Sequence, residues 1–266
     1  MRNSRRSPFL IPLIIVSVIT VLLGAILVYQ ERGGGFGRTE TEKNDEGETE
    51  INVPDVLFRS DLSEFEEYMN VTDEKYLVLV NKENTVDGSF KPEKLVKVKD
   101  TSKNIELSLT AEKALEAMFV EMRAMGFKDV FVTSAYRSYN YQSSLFNTYI
   151  NDEMMSGLSY DEARKRVLTY SALPGASEHH TGLCVDLYHN GMVELDESFA
   201  TYPVYDWLVE NAWKFGFVLR YPEDKTDVTG YTYEPWHYRF VGRYHAYVMK
   251  EKNLTLEEYL LTLNET

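Results

Sequence analysis

The chain has 266 residues, of which 44% are hydrophobic and 13% aromatic; that composition can supply a core and excludes a disordered polymer. One cysteine excludes an intramolecular disulfide framework and a thiolate zinc cluster. The net charge is −14, and removing the three arginines of residues 1–30, a segment without acidic side chains, leaves the rest at −17. A body that acidic is repelled by phosphate backbones, so nucleic acid is excluded as a partner.

The chain begins with Arg2, Arg5 and Arg6, followed by an uncharged run rich in Leu, Ile and Val. This pattern predicts a cytoplasmic N-terminus over 1–8 and a single transmembrane helix over 9–29. At 1.5 Å per residue, such a helix crosses a hydrocarbon core of roughly 30 Å. The leading arginines set the N-terminus inside and the body outside. A cleaved signal peptide is the rival, but its apolar region is ~7–15 residues and ends in a small-x-small site. Leu27-Val28-Tyr29-Gln30 offers no such site. Residues 30–52 mix Gly, Thr and charge, and read as a flexible acidic linker. The body is then 53–266, exposed on the outer face of a single-pass membrane protein.

Within the body, Tyr76–Val80 reads as a strand-like apolar run. The first clear helix follows Thr110, with Leu115, Met118, Phe119 and Met122 at helical spacing and Gly126 as its stop. Lys128–Ser134 reads as a strand, and 140–151 and 159–170 as helices, the second opened by a Ser159/Glu162 capping box. Leu183–Tyr188 is a buried strand. Val204, Trp207, Leu208, Ala212 and Phe215 mark a helix closed by Gly216. Strands over 217–221 and 231–241 follow, then a terminal helix with a Thr255/Glu258 capping box. Strands and helices intersperse without regular alternation, so the fold class is α+β.

Three of the five histidines fall in two windows, Ser177–Asp186 and Glu234–His237. A hydrolytic zinc site needs about three protein ligands and an open position. His179 or His180, with Asp186 and His237, meet that need on residue type alone. Glu234 is then a carboxylate left over to accept a proton. Gly182 permits a sharp turn between the first two ligands. Asp186 sits in an apolar run, where a lone charge is costly unless paired or bound to metal. His189 and His245 have no such constellation and read as surface or structural residues.

Ser177–Asp186 resembles the S-x-H-x(6)-D signature of zinc D-alanyl-D-alanine carboxypeptidases of the vancomycin-resistance type. Glu234–His237 resembles their E-x-x-H signature, and Ser134-Ala135-Tyr136-Arg137-Ser138 their S-x-Y-R-S segment. The resemblance spans roughly 75–245. It implies a Hedgehog/DD-peptidase-like fold, a small antiparallel sheet with helices packed around it. It also implies one zinc ion per chain, held by His179, Asp186 and His237, with Glu234 as the base assisting attack by zinc-bound water. Arg137 corresponds to the arginine that steadies the oxyanion, and Gln142, Ser177 and Tyr221 to substrate-binding positions. His180 and Cys184 stand where the family often has Gln and Ala. By parity Cys184 shares a strand face with Asp186, although a small buried hydrophobe is its simplest role.

The implied function is a membrane-anchored carboxypeptidase that removes the C-terminal D-alanine from peptidoglycan stem peptides, with D,D- or L,D-specificity open. A monomer in the cell membrane of a Gram-positive-type bacterium is expected, touching the lipid bilayer only through its N-terminal helix. The alternative is an inactive, zinc-containing wall-binding or signalling domain.

Overall fold

The computed structural model describes residues 52–264. The expected cytoplasmic segment 1–8, the membrane helix 9–29 and the linker up to residue 51 lie outside the described residues. Among those described, no helix is long and apolar enough to cross a membrane.

In chain order the elements are α1 (Glu66–Met69), β1 (Leu95–Lys97), β2 (Glu106–Ser108), α2 (Leu109–Ala124), β3 (Val130–Ser134), α3 (Tyr139–Met155) and α4 (Tyr160–Val167). These are followed by β4 (Cys184–His189), α5 (Pro203–Asn211), β5 (Phe217–Leu219), α6 (Thr226–Thr229), β6 (His237–Phe240), α7 (Arg243–Glu251) and α8 (Leu256–Asn264). Strands β1 and β2 form a small antiparallel ribbon, and the other four form a sheet in the order β3-β4-β6-β5. Every pairing in that sheet is antiparallel. The architecture is the α+β arrangement expected.

Helix α2 forms because its apolar residues line one side: Ala114, Leu115, Met118, Phe119 and Met122 are all buried. Gly126, at φ +101°, lets the chain leave the helix while Phe127 N–H returns to the Met122 carbonyl at 3.0 Å. The Ser159/Glu162 box opens α4, and Thr255 and Glu258 exchange bonds of 2.8 and 3.2 Å at the start of α8.

Two expected strands are corrected. Tyr76–Val80 is no strand: Glu74–Leu77 is a 3-10 turn, and the carbonyls of Tyr76 and Val78 accept from Arg239 rather than from a neighbouring strand. The expected 231–241 strand shrinks to 237–240. Pro235 lacks an N–H, and the amide of His237 turns back to the Glu234 carbonyl at 3.1 Å. The β1–β2 ribbon has no counterpart among the expected elements.

Alternation along the strands divides the central sheet into two faces. Val185 and Leu187 of β4, and Tyr238 and Phe240 of β6, join the cluster that includes Leu115, Met118 and Phe119 of α2. Cys184 and Asp186, with His237 and Arg239, take the other parity, and all four are also buried. The register sets Asp186 opposite His237 and Cys184 opposite Arg239. On β3 the pairing shifts: Val132 opposes Leu187, but Ser134 opposes Asp186. Two residues of β3 thus advance against one of β4, a bulge that turns Ser134 out of the parity of Val130 and Val132.

Phe240 is fully buried and packs edge-on against Tyr76 and Phe217, with centroids 5.5 and 5.3 Å away. Its truncation to alanine is expected to cost about 3–5 kcal/mol by denaturant unfolding. Leu261→Ala, at a position 65% exposed, is expected to stay within about 0.5 kcal/mol.

Candidate metal centre and substrate cleft

The polar face of the sheet opens into a cleft of about 1220 Å³ whose walls include Arg137, Ser177, His179, Asp186, Tyr221, Glu234 and His237. His179 is delivered by a 3-10 turn, Glu178–Thr181, that ends at Gly182 with φ +64°. That left-handed residue reverses the chain into β4 and so brings Asp186 beside His179, as its position between them predicts.

The ring orientations decide what the site can hold. Nδ1 of His179 lies 2.6 Å from the Ala135 carbonyl, which can only accept, so this nitrogen carries the proton. Its Nε2 then presents a lone pair to Asp186 Oδ2 at 3.2 Å. His237 is the mirror case: Nε2 donates to Glu178 Oε2 at 3.0 Å, and Nδ1 faces Asp186 Oδ1 at 3.0 Å. Two neutral imidazoles aiming lone pairs at one carboxylate repel it. The trio is therefore stable only around a shared cation, either a proton or a metal ion.

The titration behaviour says the same in electrostatic terms. Burial and Arg137 oppose protonation of His179, yet Asp186 and Cys184 lift its pKa to about 9. Burial likewise opposes the charge on His237, but Cys184, Asp186 and Glu178 hold it well above the usual histidine range. Against a burial cost, His179 and His237 keep Asp186 well below the usual carboxylate range.

Two donor sets have ligand atoms within 4.8 Å of one another: His179, Cys184 and His237, and Asp186, Glu234 and His237. Together they contain the expected His/Asp/His trio. The N and O donors suit a divalent ion such as zinc, and each histidine anchors its other ring nitrogen on an acceptor, as metal-binding histidines do. Cys184 adds a buried sulfur beside both rings.

Glu234 is partly buried, its Oε2 3.5 Å from His237 Nδ1, and burial raises its pKa, assisted by the nearby Asp186 charge. Arg137 is braced on three sides: Nε donates to Ser134 Oγ at 3.0 Å, NH1 to Gln142 Oε1 at 3.4 Å and NH2 to Asp186 Oδ2 at 2.9 Å. Its backbone is held as well. Arg137 N–H donates to the His179 carbonyl, and the Arg137 carbonyl accepts from His180 Nδ1 at 2.7 Å. His180 is thus committed to the backbone, with Nε2 accepting from Gly175 N–H at 3.0 Å.

Gln142 is fully buried, its amide donating to the Ala172 carbonyl at 2.8 Å, and it reaches the cleft through Arg137. Ser177 lines the cleft directly. Tyr221 is buried between Tyr231 and His237, with ring centroids at 4.7 and 4.9 Å. Burial and the charge of Glu178 hold its hydroxyl well above the usual tyrosine range. His189 stacks on Tyr202, and His245 pairs with the Tyr259 hydroxyl at 2.7 Å, both structural roles.

Sequence reasoning assigns no role to Glu178, Arg220 or Arg239, and all three are fully or almost fully buried. Glu178 Oε1 accepts from Arg220 Nε at 2.7 Å and from Arg239 NH1 at 2.8 Å, while Oε2 holds His237. Although burial works against the charge, Arg220 and Arg239 keep Glu178 ionised well below the usual carboxylate range. A visible signal existed: Arg220 and Arg239 each follow apolar strand residues, where an unpaired charge is not tolerated. Glu178→Gln leaves two buried guanidinium groups short of a countercharge. It is expected to destabilise the fold by about 3–5 kcal/mol, read from the urea midpoint.

Comparison with known proteins gives consistent matches. The family model described as VanY, D-alanyl-D-alanine carboxypeptidase, matches residues 104–243. A D-alanyl-D-alanine carboxypeptidase of Enterococcus faecalis is 34% identical over 186 residues, covering 70% of this chain and 66% of that protein. The crystal structure of the vancomycin resistance D,D-pentapeptidase VanY in complex with Zn(II) is similar with TM-score 0.60 and 34% identity, over 70% of this chain and 99% of that one. The LdcB LD-carboxypeptidase is similar with TM-score 0.61 and 33% identity, over 73% and 94%.

Proposed function

This chain belongs to the VanY family of D-alanyl-D-alanine carboxypeptidases, and from that premise we propose that it is a zinc carboxypeptidase removing the C-terminal D-alanine from peptidoglycan stem peptides. One observation carries the reading. His179 Nε2, His237 Nδ1 and the Asp186 carboxylate converge in a cleft that also holds a further carboxylate, Glu234, and a braced guanidinium, Arg137. His179, Asp186 and His237 are the residues that would hold the zinc. When bound, zinc supplies Lewis acidity, lowering the pKa of water to about 7 and polarising a carbonyl.

Glu234 takes the proton from the attacking water and returns it to the leaving amine of the terminal D-alanine. Partial burial suits it to the first of these transfers, since a raised pKa makes the carboxylate a stronger base toward the attacking water. Arg137 stabilises the negative charge developing on the scissile carbonyl oxygen. Its side chain is fixed by Ser134 and Gln142, so no reorganisation is needed at the moment of reaction. Ser177 and Tyr221 line the cleft where the terminal residue lies, and Gln142 acts through Arg137.

A cleft of about 1220 Å³ exceeds the ~300–1,000 Å³ typical for small ligands, which favours an extended stem peptide over a free dipeptide. The membrane reading follows from residues 1–52. A helix over 9–29 with arginines before it tethers the catalytic domain, as a monomer, to the outer face of a Gram-positive-type cell membrane. Tethering suits a polymeric substrate.

Incubation of the metal-loaded protein with synthetic penta- and tetrapeptide stems, with and without a chelator, tests the activity. Chelator-sensitive release of D-alanine is expected, and the preferred stem assigns D,D- or L,D-specificity. Zinc retained without release from either stem would instead indicate a binding domain. Glu234→Gln is expected to keep its zinc and lose turnover; full activity in that variant would overturn the mechanism. Arg137→Ala is expected to lower kcat by about 10²–10³ while leaving zinc content unchanged.

A further inference from the structure

The cluster around Glu178 extends beyond the site and reaches the C-terminal helix. Arg220 uses its whole guanidinium fork: Nε donates to Glu178, while NH1 and NH2 donate to the two carboxylate oxygens of Glu257 at 2.9 and 2.7 Å. Glu257 lies in the first turn of α8, beyond the residues that match the family model. Its Oε1 also accepts from Asn81 Nδ2 at 3.3 Å. Asn81 in turn organises the 81–84 turn by accepting the amides of Glu83 and Asn84.

We infer that Glu257 is a positioning residue for the metal ligand His237, acting through Arg220 and Glu178. The inference rests on the reading of His237 as a ligand. The physical argument is one of charge and geometry. Glu178, Glu257, Arg220 and Arg239 form a neutral set of two carboxylates and two guanidiniums. Arg220 is held in the plane set by the bidentate contact to Glu257, a geometry that guanidinium and carboxylate share. With Glu257 neutral, the set carries one uncompensated positive charge in a buried place. Glu178 is then the nearest carboxylate to compensate it, and its pull is toward the arginines and away from His237 Nε2. A weaker acceptor at Nε2 makes the ring a poorer donor at Nδ1, the nitrogen that faces Asp186. A residue on the last helix thereby sets the basicity and the aim of a ligand on β6.

The test uses the full-length protein and reads zinc affinity by competition with a chromophoric chelator, together with the visible absorption of the cobalt-substituted protein. Glu257→Gln is expected to weaken zinc binding about tenfold, the lower end of effects seen when a ligand's supporting partner is altered, and to shift the cobalt bands. Glu257→Asp keeps the charge and is expected to lose less, which maintains a readable variant if the Gln form folds poorly. Glu258→Gln is the control, because Glu258 serves the same helix through Thr255 and Lys225 and does not bond Arg220. It is expected to retain wild-type zinc affinity and cobalt bands. Unchanged affinity and spectrum in Glu257→Gln, or an equal loss in Glu258→Gln, overturns the inference. His237→Ala separates the two readings. Loss of stoichiometric zinc there with Glu257→Gln unaffected sinks only the link to α8, whereas retained zinc sinks the ligand assignment itself.

Discussion

A carboxylate with no exposed side-chain surface, Glu178, is the fixed point of this molecule. An ion buried there is tolerated only with its charge balanced and its lone pairs occupied. Arg220, Arg239 and the His237 ring meet both conditions. Satisfying them draws together parts of the chain that lie far apart in sequence. Arg239 comes from the middle of β6, Arg220 from the residue after β5, and the Tyr76 and Val78 carbonyls from a segment far upstream. Such a network costs more to leave half-made than it gains when complete, so its value lies in specifying one arrangement rather than in adding stability.

The same sheet serves packing and chemistry because side chains alternate across it. Val185, Leu187, Tyr238 and Phe240 anchor the apolar face to α2, which leaves Cys184, Asp186, His237 and Arg239 no choice but the opposite one. A slip of one residue between β4 and β6 would put Asp186 into the core, so the apolar packing enforces the register of the polar cluster. The bulge on β3 completes the arrangement. It brings Ser134 round to Arg137 Nε, and the chain beyond it carries the arginine over Asp186.

Much of this was legible in the chain because it is local. Helix α2 announced itself through Leu115, Met118, Phe119 and Met122, and its stop through Gly126. The capping boxes of α4 and α8 formed as their residues predicted. The histidine windows, Asp186 and Arg137 came together because short signatures place them on adjacent strands and turns. Long-range pairing was not legible. Tyr76–Val80 has the composition of a strand, and its carbonyls went to an arginine some 160 positions away. The expected strand at 231–241 lost its first half to Pro235, whose effect on the backbone outweighs the aromatic content around it. Glu178 lay inside a signature window without a role, since nothing local reveals that two distant arginines require it.

The candidate site also divides side chains tied into the fold from one that stays open to the cleft. His237 and Asp186 sit on paired strands, and the second ring nitrogen of each histidine is tied to a fixed acceptor, so the geometry of the His179, Asp186 and His237 trio is set by the fold. Glu234 stands one turn before His237, on a loop whose backbone is pinned at both ends. Its N–H donates to the Tyr221 carbonyl and its own carbonyl accepts from His237 N–H, both at 3.1 Å. That places a carboxylate at fixed reach from His237 while its side chain remains 22% exposed to the cleft. A carboxylate on an exposed loop alone would be mobile, and one within the strand would be committed to the cluster as Glu178 is. The turn at Pro235 is therefore the feature that sets Glu234 apart from Glu178: it keeps the Glu234 carboxylate within 3.5 Å of His237 Nδ1 and outside the arginine cluster that holds the other ring nitrogen.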